Sequence, residues 1–74
     1  MQVYRLVYGM EQFGLDQQLR NALQSVDAHP AASGTDFVFR DLWVQFADHI
    51  DPKVVLKAAT AVVEVIDFKE VEPS

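Results

Sequence analysis

The densest group of reactive side chains in this chain is the run Asp48-His49-Ile50-Asp51. A carboxylate beside an imidazole can act as a base pair or supply two metal ligands. A working site would also need a third ligand or a nucleophile, and the only other histidine, His29, lies twenty residues earlier. The same run has a simpler local chemistry. Asp51 followed by Pro52 is a helix-start signal, with aspartate as the N-cap and proline where a backbone N–H is not needed. Asp48 and His49 then fall at a solvated corner. Other catalytic groupings have less footing. Cysteine is absent, and Ser25, Ser33, Thr35, Thr60 and Ser74 stand in no nucleophile-elbow or base-flanked context. Gly9, Gly14 and Gly34 match no phosphate-cradling spacing. Asp36 and Asp41 could pair as acid and base only in a cleft that pushes their pKa values apart, and a chain of 74 residues rarely encloses one. The expectation is a protein that is not an enzyme, with no cofactor and no bound metal.

A second grouping is aromatic: Phe37, Phe39, Trp43 and Phe46. Aromatics interleaved with bases would suggest stacking on single-stranded nucleic acid. Here they alternate with acids, four aspartates against one arginine over residues 36–51. The whole chain carries a formal charge of −5, which disfavours direct contact with phosphate backbones or anionic lipid and favours a basic protein surface. Asp36, Asp41, Trp43, Asp48 and Asp51 are therefore the candidate partner-binding residues, the aromatic as an anchor and the acids as steering charges.

Hydrophobic periodicity supplies the elements that would position these groups. Residues 2–8 alternate as a strand, with Tyr4, Leu6 and Tyr8 on one face. Leu15, Leu19, Ala22, Leu23 and Val26 form one helical stripe, with Asp16 as N-cap or first-turn acid. Residues 28–35 have the composition of a loop. Residues 37–46 fit a strand with a bend near Arg40 and Asp41, although a helical stripe fits as well. A helix over 52–60, a strand over about 62–71 (the alternative being a helix unbroken to Asp67) and a frayed acidic tail over 70–74 complete the chain.

These elements predict one small α+β domain over 1–74: a three-stranded antiparallel or mixed sheet with two helices packed on one face. The alternative is a mostly α-helical small bundle. No leader segment or membrane span is expected, and the cytoplasm is the default compartment. The leading functional expectation is a small acidic protein-binding module. It would act as a stoichiometric inhibitor or adaptor of the kind phages and mobile elements encode, occluding a basic, nucleic-acid-binding surface of a partner. The alternatives are a homo-oligomeric accessory subunit, possible as a homodimer, and a small metal-binding or catalytic domain built on Asp48, His49 and Asp51.

Overall fold

The computed structural model describes residues 1–71. Chain order is β1 (Gln2–Gly9), a 3-10 segment (Met10–Leu15), α1 (Asp16–Gln24), β2 (His29–Thr35), β3 (Phe39–Phe46), α2 (Pro52–Thr60) and β4 (Val65–Glu70). The α+β class, the antiparallel sheet and the two helices agree with expectation, but the sheet has four strands rather than three, in the order β2-β3-β1-β4. The additional strand is β2, where composition suggested a loop.

Every neighbouring pair is antiparallel. β1 and β2 therefore run in the same direction with β3 between them, and β3 and β4 flank β1 in the same way. Two βα β crossovers interleaved like this form the split-βαβ, ferredoxin-like topology. Topology of this kind carries no function by itself.

The period-2 pattern decides which residues enter the core. Tyr4, Leu6 and Tyr8 of β1 and Leu42, Val44 and Phe46 of β3 point to the side where both helices lie. Leu19 and Leu23 of α1 and Val55 and Ala59 of α2 close over them, and all four are fully buried. Burying each of the leucines and Val55 stabilises the fold by about 1.5–3 kcal/mol before entropy is counted, and the Ala59 methyl by less. Tyr4 packs between Phe46 and Phe68, with ring centroids 5.3 and 4.7 Å apart, which links β3, β1 and β4 through one aromatic row.

β2 has few residues that favour extended backbone on their own. It forms because β3 offers it a ladder from His29↔Gln45 to Thr35↔Arg40, with a register shift between Pro30 and Ala32. Gly34 lies beside the Trp43 indole, where an added Cβ would make an ordinary contact with the ring at 3.6 Å, so packing there does not require glycine. The bend expected near Arg40 and Asp41 is absent from β3. Irregularity falls instead in β2 and between Val7 and Tyr8, opposite β4.

The helix ends follow local chemistry. Asp51 caps α2, its carboxylate accepting from the Lys53 N–H at 2.9 Å, with Pro52 as the first helical residue. The chain after α1 reverses through Asp27, the one non-glycine residue with positive φ (59°) among the described residues. At the other end, Glu70 closes β4, and the Val71 N–H donates to the Val3 carbonyl at 2.8 Å. The sheet thus extends past the start of the tail expected to fray from residue 70. Residues 72–74 of that tail lie outside the described residues. No helix among the described residues is long and apolar enough to cross a membrane.

Asp27→Gly removes the left-handed backbone penalty while leaving the exposed surface otherwise unchanged. It should raise the urea midpoint by the equivalent of about 0.5–1 kcal/mol with an unchanged m-value. A lower midpoint would mean that the Asp27 side chain contributes more than its backbone conformation costs.

Candidate protein-binding surface

The strongest electrostatic feature is a cluster at the end of the sheet where β1 leads into α1. The Tyr8 hydroxyl donates to Asp16 Oδ1 at 2.5 Å, Arg40 Nε donates to the same oxygen at 2.9 Å, and Arg20 Nε donates to Oδ2 at 2.8 Å. One carboxylate thus joins β1, β3 and α1. The Arg40 guanidinium also sits 4.9 Å from the Phe13 ring centroid, a cation–π contact that ties in the 3-10 segment. Burial alone would push the Asp16 carboxyl up. Hydrogen bonds from Tyr8, Arg20 and Arg40 outweigh it and bring the pKa down to about 2. Burial, followed by the hydrogen bond to Asp16, pushes Tyr8 up to about 12. Both groups are driven away from neutrality, so the cluster is poorly suited to proton transfer near pH 7 and well suited to holding three elements together. Of the two places expected for Asp16, N-cap or first-turn acid, the structure shows the second: it is the first residue of α1, the N-cap is Leu15 with no side-chain cap, and the Asp16 side chain reaches across to the sheet.

The five residues expected to bind a partner occupy separate places. Asp36 lies in the β2–β3 turn, where its Oδ1 accepts from the Val38 N–H at 2.7 Å and the Phe39 N–H at 2.6 Å. Those backbone bonds hold its carboxyl below the usual carboxylate range. Asp41 and Trp43 are on the helix-free face of β3, and Asp41 pairs with Arg5 at 2.9 Å. Asp48 lies beyond the far end of β3 and meets the N-terminal amine at 3.1 Å. Asp51 is the α2 cap. Seven strand steps separate the two ends of β3, about 23 Å, so Asp36 and Asp48 cannot share one compact contact.

Asp48-His49-Ile50-Asp51 is a tied connection. The Gln2 side-chain amide donates to the Ala47 and Ile50 carbonyls at 3.1 and 3.0 Å. No group of three or more potential metal ligands exists among the described residues.

What the structure does bring together is apolar. Phe37 is fully exposed at the β2–β3 turn, with Val38 58% and Phe39 40% exposed beside it. Phe13, 47% exposed, lies at the same end under Arg40. The turn is fixed rather than loose: besides the bonds to the Asp36 carboxylate, the Asp36 backbone N–H donates to the Phe39 carbonyl at 2.9 Å and the Met10 N–H donates to the Val38 carbonyl at 2.9 Å. A shallow depression beside it is lined by Thr35, Asp36 and Phe37. Three consecutive large apolar residues displayed to solvent at a turn run against ordinary surface patterning. The sequence signal was Phe37-Val38-Phe39 directly after Asp36, whose carboxylate holds the turn.

Asp16 links directly to pH. Its pKa is depressed in the folded state, so its contribution is present above the unfolded value of 3.8 and is lost as pH falls toward about 2. That contribution is about 2 kcal/mol. Asp16→Asn should flatten the acid limb of the stability–pH curve by this amount. It should also cost about 2–4 kcal/mol at pH 7, because Arg40 is left largely buried without its carboxylate. Urea titrations of both proteins from pH 2 to pH 7 test this, and parallel curves would contradict it. Comparisons with protein-family models, with curated proteins and with solved structures find no match for this chain.

Proposed function

We propose that this protein is a small acidic binding module that acts as a stoichiometric inhibitor or adaptor, with the β2–β3 turn as its anchor. The observation that carries this reading is the full exposure of Phe37 on a turn fixed by four hydrogen bonds. A pre-ordered aromatic loses little conformational entropy on binding and buries a large area in a partner pocket. Val38 and Phe39 extend the contact around it.

Charge supports a basic partner. All three arginines pair within the chain, Arg20 and Arg40 with Asp16 and the half-exposed Arg5 with Asp41. The cations left unpaired are then lysines, set against a larger number of acids. Asp36 stands beside Phe37, its carboxyl held below the usual carboxylate range by the Phe39 and Val38 N–H groups. An apolar pocket rimmed by lysine or arginine, such as borders many nucleic-acid-binding surfaces, fits an acid-flanked phenylalanine. Of the residues singled out from the sequence, Asp36 belongs to this contact, while Asp41, Trp43, Asp48 and Asp51 stand outside its centre.

Capture of partners on immobilised wild-type protein and on Phe37→Ala, with quantitative mass spectrometry, tests the reading. The expected outcome is a basic protein held by the wild type and bound at least 30-fold more weakly by the variant, a loss of about 2 kcal/mol. The variant's stability should change by less than about 0.5 kcal/mol, and association should slow as salt rises. Undiminished capture by Phe37→Ala would refute the anchor.

A further inference from the structure

We propose that the outer edge of β2 takes an extended, basic segment of the partner as an added strand of the sheet. The inference rests on the reading above of a basic protein partner and says how that partner is held. The sheet order leaves β2 and β4 as its two edges. An edge strand presents a row of backbone N–H and C=O groups with which another chain can pair, and proteins commonly blunt it with charges, proline or a bulge.

The two edges differ in this respect. Backbone groups alternate in direction along an antiparallel strand. The Val71 N–H bonds inward to Val3, so the Phe68 N–H points outward from β4. That N–H is already taken, because the Asp67 carboxylate accepts from it at 3.0 Å. A register shift also disturbs the β4 ladder at Ile66, and Lys69 and Glu70 add exposed charge. On β2 the Asp36 N–H bonds inward to the Phe39 carbonyl, so Ala32 and Gly34 face β3 while Ser33 and Thr35 turn their N–H and C=O groups outward. Pro30 and a register shift disturb only the start of this strand. From Ala32 to Thr35 the side chains are small and uncharged. The nearby Asp36 carboxylate is spent on the Val38 and Phe39 N–H groups rather than on the edge.

Charge complementarity identifies the occupant. Residues 21–39 contain Asp27 and Asp36 and no lysine or arginine. The two acids flank β2, both are exposed, and among the described residues neither forms an ion pair. The strand spans seven residues, about 20 Å. An extended segment of that length with lysine or arginine at its ends matches both the open backbone row and the acids. A second copy offers no such bases, since its own β2 is flanked by the same aspartates. At the turn end, the depression lined by Thr35, Asp36 and Phe37 joins this edge to the exposed phenylalanine, so one partner can meet both. Main-chain pairing supplies affinity in this mode of recognition, and the flanking charges supply selectivity.

Titrating the isotope-labelled full chain with the peptide acetyl-Lys-Val-Thr-Val-Thr-Val-Lys-amide, up to about 5 mM, reads this through amide NMR shifts, the range being set by the ordering cost of a short flexible strand. Saturable shifts centred on Ser33 and Thr35 are expected. Glutamate in place of both peptide lysines should weaken binding at least about fivefold, and methylating every inner peptide nitrogen should abolish it. Ser33→Pro removes an outward N–H and leaves the β3 ladder intact, which circular dichroism verifies; it should weaken binding at least about tenfold. Phe37→Ala should leave the peptide titration unchanged, so failure of the edge and failure of the turn anchor are read separately. No shifts at β2, equal binding of the glutamate peptide, or binding that survives methylation or Ser33→Pro would overturn the proposal. Ser33 and Thr35 shifts that change on dilution without peptide would assign the edge to a second copy and overturn it as well.

Discussion

Asp16 is the point on which the structure turns. Its carboxylate accepts from a tyrosine on β1, an arginine on β3 and an arginine on its own helix. Apolar packing drives α1 toward the sheet but has no preferred direction. The directional bonds to Asp16 fix where the helix starts and how it sits over β1 and β3. Because Arg40 is nearly buried and Tyr8 fully so, neither could occupy its place without a partner there. The cluster therefore stabilises the fold and also makes it specific.

The same cluster shapes the outside of the molecule. It takes up two of the three arginines, and Asp41 takes up the third. The remaining bases are lysines, two of them on α2. An excess of acids is left facing solvent without the sheet or turn needing any unusual backbone. Against this acidic surface the β2–β3 turn displays Phe37, Val38 and Phe39 to solvent, while the helix-free sheet face sets Arg5 and Lys69 against Asp41 and Asp67.

Much of the fold was legible in the sequence wherever a core face has regular spacing. The Tyr4-Leu6-Tyr8 alternation and the Leu19-Leu23 stripe lie in the core, and Asp51-Pro52 starts α2 as its chemistry requires. β2 escaped because an edge strand of small residues takes its conformation from its neighbour's ladder rather than from its own preferences. β3 seemed to have no clean face because Arg40 sits among Leu42, Val44 and Phe46. That arginine is a core residue only because Asp16, 24 positions earlier, meets it. The aromatic group dispersed for a simple reason: the pleat sends Phe46 inward and Trp43 outward, while the turn carries Phe37 away from both. Spacing alone does not reveal where a strand ends, and that end determines which aromatics remain exposed.

A double-mutant cycle between Asp16→Asn and Arg40→Met, read by urea unfolding at pH 7, addresses the central claim most directly. If one carboxylate truly holds helix and sheet together, the two substitutions must be strongly non-additive. The expected interaction energy is about 1–3 kcal/mol, with the double variant losing much less than the sum of its parts. Additive losses, within about 0.3–0.5 kcal/mol, would mean that apolar packing alone sets the helix in place and that the carboxylate is incidental.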